Sequence, residues 1–429
     1  MPFIPGGLPR SGSAVACCRF EPRCSVGQGN PQCQAAEPEL RPTPAGTIAA
    51  CYFPVDAPLR SVSTAEAISG TDAVEGPQSP SIGTSTNPAL LEVADVVKTF
   101  RVTRSGSSTL RLRAVAGVSL VVRQGESFGI VGESGSGKTT LARILVGLES
   151  ADSGSLHFSG EATLAASSGA RRRRASRPGE IQMIFQDPGD SLDPLMTVQH
   201  LVAEPLEITR GGRAGRYRTE VADALGAVGL AEAMMSRRAS QLSGGQRQRV
   251  AIARALTTKP RLLIADEAVA SLDMSARGQV LNLLSDIQDE GDLTCIHISH
   301  DLSMVRNVCE RVAVMHAGRI VEVADAEELF RSPRHPYTAG LISAIPVPDP
   351  TYERTRARIE VVGELPDLTR RLVGCAYRSR CPNAQERCAV EDPPLVEVDP
   401  GHSFACHYPE PPKLDLATVP APAHDATLI

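Results

Sequence analysis

No part of the sequence approaches the roughly 20 consecutive apolar residues that a membrane-spanning helix requires. The first 20 residues also lack the basic start and the apolar run of a secretory signal. We therefore expect any association with a membrane to depend on a partner protein. Since a protein without an export signal keeps its thiols reduced, disulfides are the weaker explanation for the last four of the eleven cysteines.

An excess of positive charge is absent as well. The formal net charge is -5 and the pI is about 6.0, which gives no general reason to expect nucleic-acid binding. One basic run, Arg171 to Arg174, is the local exception. We interpret it as a solvated loop rather than a patch that binds nucleic acid or lipid.

Residues 1–88 lack sustained apolar periodicity and are rich in Pro, Gly, Ser and Ala. Such a segment cannot bury enough apolar surface to offset its chain entropy, so this composition predicts disorder. The tail 411–429 is predicted to be unstructured for the same reason.

Between residues 89 and 333, short apolar runs alternate with helical stretches, which indicates an α/β domain with a largely parallel sheet. The runs at 127–131, 261–266 and 293–299 are predicted to be buried strands. Strand-like runs are missing between about 190 and 256, so a helical insert is expected there. Proline becomes frequent again from residue 334, where a smaller extension is expected to run to about 410.

The first chemical motif is Gly132-Glu-Ser-Gly-Ser-Gly-Lys-Thr139, which fits G-x-x-x-x-G-K-[ST] between a predicted strand and a predicted helix. In such a loop, backbone N–H groups turn inward around phosphate oxygens. The lysine would reach the β- and γ-phosphates and the threonine hydroxyl would ligate Mg²⁺. The predicted nucleotide-binding residues of this loop are Gly132, Ser134, Gly135, Ser136, Gly137, Lys138, Thr139 and Thr140.

Two carboxylates follow the apolar run Leu262-Leu-Ile-Ala. An acidic residue at the end of a buried strand points into the ligand crevice at the carboxyl edge of the sheet. Asp266 is therefore predicted to hold Mg²⁺, and Glu267 to act as the general base that polarises the attacking water. Many strands end in Asp, and it is the pairing with the phosphate loop that makes this motif specific.

The sequence Leu242-Ser-Gly-Gly-Gln-Arg-Gln-Arg249 stands between these motifs, with Ser243 23 residues before Asp266. Together the three motifs resemble those of ABC ATPases. The resemblance implies a P-loop fold with a RecA-like parallel sheet, an N-terminal antiparallel β subdomain and a helical insert. It also implies that two such domains bind head to tail, each ATP lying between one subunit's loop and the partner's signature. The signature residues are Ser243, Gly244, Gly245 and Gln246.

Four further positions match this family. Gln186 corresponds to the glutamine that touches Mg²⁺ and the catalytic water, and His300 to the switch histidine near the γ-phosphate. Asp273 corresponds to the aspartate of the D-loop. Phe100 stands where the family stacks an aromatic ring on adenine, although it is also acceptable as a core residue. We find no internal repeat, so one nucleotide domain is expected rather than two.

Three segments, 185–188, 191–197 and 334–338, resemble the oligopeptide/dipeptide importers, and the signature is similar to that of the second of their two paired ATPases. This resemblance implies an ATPase at the cytoplasmic face of the cell membrane that powers peptide uptake. The implied partners are a second homologous ATPase in a heterodimer, two permease subunits and a separate solute-binding protein, without nucleic acid. Nickel importers share this architecture, so the solute stays open.

The chain departs from the subgroup after Glu267. Ala268 stands where proline is usual, and Ala270-Ser271 reverses the usual order of these two residues. Neither change removes a catalytic group, but both bear on the geometry of the D-loop.

The C-terminal extension contains four cysteines, Cys375, Cys381, Cys388 and Cys406, in a region without an obvious apolar core. Small irregular folds often need a metal, but this spacing matches neither the usual zinc pairs nor the ferredoxin patterns. The extension resembles that of peptide-importer ATPases in which four cysteines hold a [4Fe–4S] cluster. Zinc, with His407 or His402 replacing a cysteine, and unligated thiols are the alternatives.

Two other classes of ABC protein fit the sequence less well. Soluble ABC ATPases that act on nucleic acid or the ribosome carry two cassettes or long coiled coils, and neither is visible in this sequence. A regulatory subunit that does not hydrolyse ATP would not need Glu267, His300 and Gln186 together. An importer ATPase is therefore the leading prediction.

Overall fold

The computed structural model describes the greater part of the chain, which divides into two units: residues 1–85 with 274–278, and the remainder. In the first unit, strands β1 (Arg41–Pro42) and β2 (Ile48–Ala49) pair antiparallel, and α1 spans Pro31–Ala35. The disorder predicted for the rest of 1–88 and for the tail lies outside the described residues. Those residues are 31–36, 38–39, 41–42, 48–51, 87–103, 109–165, 179–187, 191–269, 272, 274–289, 293–346, 353–354, 358–359, 363, 366–370 and 372–409.

An antiparallel sheet is formed by four strands, two of which precede the phosphate loop in the sequence and two of which follow it. Its order is β4-β3-β6-β7, where β3 is Ala89–Thr103, β4 Thr109–Arg123, β6 Ser153–Phe158 and β7 Glu161–Ala165. In β3, Leu91 and Val93 are buried whereas Glu92 between them is exposed. This alternation places one face of the sheet against the core.

The main sheet has eight strands in the order β13-β14-β12-β11-β5-β10-β9-β8. Five neighbouring strands, from β11 to β8, run parallel to one another. The strand bounds are β5 Ser127–Val131, β8 Ile181–Ile184, β9 Leu262–Asp266, β10 Thr294–Ser299, β11 Arg311–His316, β12 Arg319–Asp325, β13 Val396–Asp399 and β14 His402–Phe404.

Every residue of β5, β9 and β10 is buried, as expected for central parallel strands that are covered on both faces. This burial explains why these strands read as continuous apolar runs in the sequence. Phe128 and Ile264 from the main sheet belong to the same core cluster as Leu91 from the antiparallel sheet. The two sheets therefore enclose a shared core, which holds the phosphate loop between them.

The region predicted as a helical insert contains three α-helices and three short 3₁₀ helices, at Ala214–Tyr217, Glu232–Ser236 and Ala239–Gln241. None of the helices among the described residues is long and apolar enough to cross a membrane. The α-helices after α1 are α2 Lys138–Leu145, α3 Val198–Arg210, α4 Arg218–Ala227, α5 Gly244–Leu256, α6 Met274–Asp289, α7 Leu302–Val308, α8 Ala326–Arg331, α9 Pro336–Ser343 and α10 Glu386–Val390.

The C-terminal extension continues the main sheet. β14 pairs antiparallel with β12, and β13 pairs with β14. Beside this junction, the fully buried carboxylate of Glu322 on β12 accepts hydrogen bonds from the backbone N–H groups of Arg334 (2.6 Å) and His335 (3.0 Å). It also lies 2.8 Å from Nε2 of His402 on β14. One buried carboxylate thus joins three segments of the chain.

Candidate active site

The phosphate loop connects β5 to α2, and its glycines are required by close backbone contacts. Gly132 has φ +153° and Gly137 has φ +106°, which are backbone conformations that favour glycine. A Cβ atom on Gly132 would lie 2.1 Å from the carbonyl oxygen of Met315. On Gly137 it would lie 2.2 Å from the carbonyl oxygen of Ala114. A side chain at either position would therefore force the loop away from its neighbours.

Lys138 begins α2 and is almost completely buried. Its Nζ donates hydrogen bonds to the carbonyl oxygens of Gly132 (2.7 Å) and Glu133 (2.9 Å) and lies 3.4 Å from Oγ of Ser136. Burial lowers the pKa of this ammonium group, while the carboxylates of the site partly offset that effect. The lysine therefore lies inside the curve of the loop, and the exposed residues Ser134 and Gly135 lie at its outer side.

Thr139 and Asp266 form the candidate magnesium site. The Thr139 hydroxyl donates to Oδ1 of Asp266 over 3.4 Å, which brings the end of β9 against the first turn of α2. Burial raises the pKa of Asp266, whereas the hydrogen bond from Thr139 lowers it. Oxygen donors of this kind are the ligands that Mg²⁺ prefers, so the residues fit this ion. The next residue of the helix, Thr140, is half-buried.

Glu267 lies at the centre of the predicted catalytic residues. Nε2 of Gln186 donates to one carboxylate oxygen over 2.7 Å, and Nδ1 of His300 lies 2.8 Å from the other. The ends of β8, β9 and β10 thus bring these three predicted residues together. Glu267 itself has φ +50°, a left-handed conformation that is rare for a residue with a side chain and typical of functional sites. Its N–H donates to the carbonyl oxygen of Ile298 on β10, which holds this turn in place.

The signature lies at the start of α5. Ser243 is the N-cap, its Oγ accepts the N–H of Gln246 over 3.3 Å, and the Gln246 side chain accepts the N–H of Ser243 over 3.0 Å. This reciprocal pair is a capping box, which fixes the first turn of the helix. Ser243 and Gly244 are exposed, so this helix end faces outward.

Sequence reasoning missed one residue of the same helix. Gln248 is fully buried, and its Nε2 donates to the carbonyl oxygen of Ala268 over 2.5 Å. Ala268 directly follows Glu267, so this bond connects the signature helix with the turn that carries the predicted catalytic carboxylate. Gln248 stands among other polar residues at the start of α5, so the local sequence does not indicate that its side chain is buried in such a contact.

Phe100 and Asp273 are not joined to this group by a described contact. Phe100 pairs on β3 with Leu112 of β4, two residues before Ala114, whose carbonyl abuts the phosphate loop. Its ring is half-buried and lies 5.1 Å from Nζ of Lys98. Asp273 lies outside the described residues, as do Ala270 and Ser271, so the predicted D-loop stays a prediction.

The sequence also gave no sign that the C-terminal extension reaches the phosphate loop. The guanidinium of Arg380 contacts both carboxylate oxygens of Glu133, over 2.6 and 2.9 Å. The backbone N–H of Glu133 donates to the Tyr337 hydroxyl over 2.9 Å. Arg380 and Glu133 are 247 positions apart, so no local pattern could have predicted their contact.

The four C-terminal cysteines share one neighbourhood. The Cys406 thiol interacts electrostatically with Cys375, Cys381 and Cys388, and burial raises its pKa to about 11. In the described part of the chain, however, no three His, Cys, Asp or Glu side chains are placed so that they could hold a metal ion. The histidines considered for zinc have other contacts: Nε2 of His402 lies against Glu322, and Nε2 of His407 lies 3.1 Å from the Glu391 carbonyl oxygen. The positions seen here do not form a ligand set.

Two family models match this chain. The model described as ABC transporter matches residues 115–270, which include the phosphate loop, the signature and the acidic strand. The model described as oligopeptide/dipeptide transporter, C-terminal region, matches residues 321–388. The second match includes Glu322, α9 and Arg380, the residues that join the extension to the main sheet and the loop.

Relatives that match about three quarters of this chain agree with these family models. YkfD of Bacillus subtilis (strain 168), named as an oligopeptide transport ATP-binding protein, is 43% identical over 319 residues, 74% of this chain and 95% of its own. The Sinorhizobium fredii chain y4tS, named as a peptide ABC transporter ATP-binding protein, is 45% identical over 330 residues, 75% of this chain and 91% of its own. Among solved structures, the dimeric ATP-binding cassette MJ0796 bound to ADP and Pi is 28% identical with a TM-score of 0.50, covering 55% of this chain and 98% of that one.

Proposed function

Since this chain belongs to the family of ABC transporter ATP-binding proteins, in its oligopeptide/dipeptide branch, we propose that its Glu267 site hydrolyses ATP to power the uptake of di- and oligopeptides through a membrane permease. The family membership confirms the predicted α/β P-loop fold and the predicted transport-coupled ATPase. The relatives are named for peptides rather than nickel, which favours peptide as the solute.

The observation that carries this proposal is the position of the Glu267 carboxylate. It is held between Gln186 and His300, next to Asp266 and the phosphate loop. A general base needs a carboxylate within hydrogen-bond reach of the attacking water, with partners that keep its oxygens in place. Gln186 and His300 supply those partners from the ends of β8 and β10, the strands on either side of β9.

The remaining groups bind and orient the phosphates. Lys138 and the backbone N–H groups of the loop would contact the phosphate oxygens, and Thr139 and Asp266, with Gln186, would hold Mg²⁺. When bound, Mg²⁺ neutralises charge that develops on the transferred phosphoryl group. Within this arrangement, Glu267 accepts the proton of the water, and Gln186 and His300 keep that water and the carboxylate in line. Positioning and electrostatic stabilisation provide most of the catalysis.

Hydrolysis further requires a second subunit in this proposal. The exposed, capped start of α5, with Ser243 and Gly244, would act on the ATP of a homologous partner, because a helix N-terminus stabilises phosphate charge. We expect that partner to be a different but similar ATPase, giving a heterodimer. Asp273 would lie at this interface, and Phe100 would stack on the adenine of the chain's own ATP.

The assembly would include two permease subunits and a separate solute-binding protein, with this chain at the cytoplasmic face of the membrane. Its net charge of -5 gives no reason to expect a nucleic-acid partner. The permease and the binding protein would select the peptide, because the site described here would contact only the nucleotide, Mg²⁺ and the attacking water.

The four C-terminal cysteines support a further, separate proposal. We propose that they hold a [4Fe–4S] cluster, with zinc as the alternative, because the four thiols lie in one neighbourhood of the extension. Ligation would require the thiols to move from the positions described above, which do not form a ligand set. No step of the ATPase reaction depends on this group. Iron and sulfide analysis of the anaerobically purified protein decides the matter: colourless protein without iron eliminates the cluster, and zinc in its place supports the alternative.

The function is tested on the complete transporter in lipid vesicles, with its partners and a panel of peptides. We expect ATP turnover to rise when a transported peptide and its binding protein are present, and nickel to have no such effect. Lys138→Ala should reduce nucleotide affinity at least tenfold, since the loop loses its charge at the β- and γ-phosphates. If nickel alone stimulates ATP turnover, the transported solute is nickel and not a peptide. If Lys138→Ala binds nucleotide as tightly as the wild type, the loop does not bind the nucleotide.

A further inference from the structure

Glu133, the second residue of the phosphate loop, is held by two residues of the C-terminal extension. Arg380 forms a bidentate ion pair with its carboxylate, and the Tyr337 hydroxyl accepts its backbone N–H. The Arg380 side chain is only 9% exposed and Tyr337 is fully buried. Bidentate pairs of this kind fix geometry as well as contributing energy, because two N–H groups of the planar guanidinium donate in parallel to the two carboxylate oxygens.

The same residue also contacts the lysine of the loop. The carbonyl oxygen of Glu133 accepts a hydrogen bond from Nζ of Lys138 over 2.9 Å. The side chain and the N–H of Glu133 are thus held by the extension, while its carbonyl holds the lysine that serves the phosphates. A rotation of the Glu133 backbone would move all of these contacts together.

The extension follows the loop further along its length. A cavity of about 30 Å³ is lined on one side by Glu133, Ser134, Gly135 and Ser136, and on the other by residues that include Pro366 and Leu368. The carbonyl oxygen of Leu368 accepts the N–H of Arg113 on β4, which fixes this part of the extension beside the loop. The extension therefore lies beside the phosphate loop at Pro366 and Leu368 as well as at the Glu133 contact.

We propose that Arg380 is a positioning residue for nucleotide binding: through Glu133, the C-terminal extension sets the shape of the phosphate loop and thereby the affinity for ATP. This inference rests on the proposed ATP site. The ion pair supports it because Arg380 lowers the pKa of the Glu133 carboxyl, which keeps the pair charged at neutral pH. The motif Arg334-His-Pro-Tyr-Thr338 then has a structural role, since Tyr337 binds the loop and His335 caps the helix that carries it.

The test uses the purified full chain and equilibrium titration with Mg-ATP. The variants are Arg380→Gln, Arg380→Lys, Glu133→Gln and the double variant Glu133→Gln with Arg380→Gln. The matched control is Arg387→Gln. Arg387 also precedes a cysteine of the extension and also makes a bidentate pair, but with Glu391 on its own exposed helix turn.

We expect Arg380→Gln to weaken ATP binding roughly tenfold, in the range measured for residues that act through a neighbour. Arg380→Lys should recover part of the affinity because it keeps the charge and one hydrogen bond. The double variant should bind no more weakly than the single variants, since both act through one pair. Arg387→Gln should bind ATP as the wild type does. In the assembled transporter, KM for ATP should rise while kcat at saturating ATP stays within about twofold.

A merely structural pair would lower the melting temperature without changing affinity, so unchanged affinity in a folded Arg380→Gln overturns the inference. Tighter binding overturns it as well, because the extension would then restrain the loop rather than support it. If Arg380→Gln does not fold, the ATP affinity of the double variant is the deciding measurement, because removing both charges leaves no unpaired charge in a buried place. Wild-type affinity of the double variant then overturns the inference. Lys138→Ala separates the two proposals: if it binds ATP normally, the ATP site itself fails, and if only the Arg380 variants bind normally, the inference alone fails.

Discussion

The proposed catalytic residues and the residues that attach the C-terminal extension differ in how deeply their side chains are buried. Glu267 and His300 have side chains that are 16% and 63% exposed, and their contacts lie at an open sheet edge. Glu322 and His402 have side chains that are 0% and 4% exposed, and they interact inside the protein. Substitutions at the first pair should therefore change chemistry with little change in stability, whereas substitutions at the second should do the opposite.

The largest expected effect is on turnover. Glu267→Gln should lower phosphate release by the assembled transporter roughly 10²- to 10⁴-fold, because the amide cannot accept the proton of the attacking water. ATP affinity and melting temperature should stay close to those of the wild type. Glu232→Gln, which neutralises an exposed carboxylate paired with Arg218 in the helical insert, is the control and should leave turnover unchanged. Phosphate release by Glu267→Gln at the wild-type rate would exclude this residue as the base.

The next effect is on stability. Glu322→Ala removes the acceptor shared by Arg334, His335 and His402, and we expect it to lower the free energy of unfolding by about 3–5 kcal/mol. Denaturant unfolding of the full chain measures this change. Glu391→Ala removes an exposed carboxylate of the same extension and should have no measurable effect. If the two variants have the same free energy of unfolding, the buried contacts of Glu322 contribute no more to stability than those of an exposed carboxylate.

The smallest effect concerns acid. Burial lowers the pKa of His316 from 6.5 to about 4, next to Glu133 and Arg380 and in ring contact with Tyr337. Burial lowers the pKa of His335 to about 3. As the pH falls, the histidines of the unfolded chain therefore bind protons before those of the folded chain do. The stability that neutral His316 contributes is complete above about pH 6.5 and is lost as the pH falls toward 4.

His316→Phe keeps a ring against Tyr337 and removes the titrating group. We expect its melting temperature to fall less than that of the wild type between about pH 7 and about pH 5. An identical fall in both proteins would assign the acid sensitivity to other groups, for example the fully buried His297 of β10, whose pKa burial lowers to about 4.

The sequence was sufficient for the active-site residues whose placement follows from strand ends. Asp266, Glu267 and His300 follow buried apolar runs, and parallel strands bring such residues to one edge of the sheet. The phosphate loop was equally readable, because its glycines and lysine have a fixed spacing. The contacts of Arg380 with Glu133 and of Gln248 with Ala268 could not be predicted, since they depend on how distant segments pack and not on any local pattern.

The extension shows the same limit at the scale of secondary structure. Its high proline content predicted an irregular region. β14, which pairs with β12, has only three residues, too few to show a clear alternation of apolar and polar side chains. Short strands at a sheet edge are specified by the neighbour that they pair with, which the local sequence does not reveal. The cysteines are similar: their positions are obvious in the sequence, while their ligation depends on side-chain geometry.

The pairing of β12 with β14 has a practical consequence for any shortened version of this protein. A chain that ends at residue 333, at the end of the predicted nucleotide domain, would leave β12 as the outermost strand of the main sheet. Its backbone donors and acceptors would then be open to pairing with other molecules, a common route to aggregation. Boundaries for an isolated domain are therefore better placed after β14 than at the limit that the nucleotide motifs suggest.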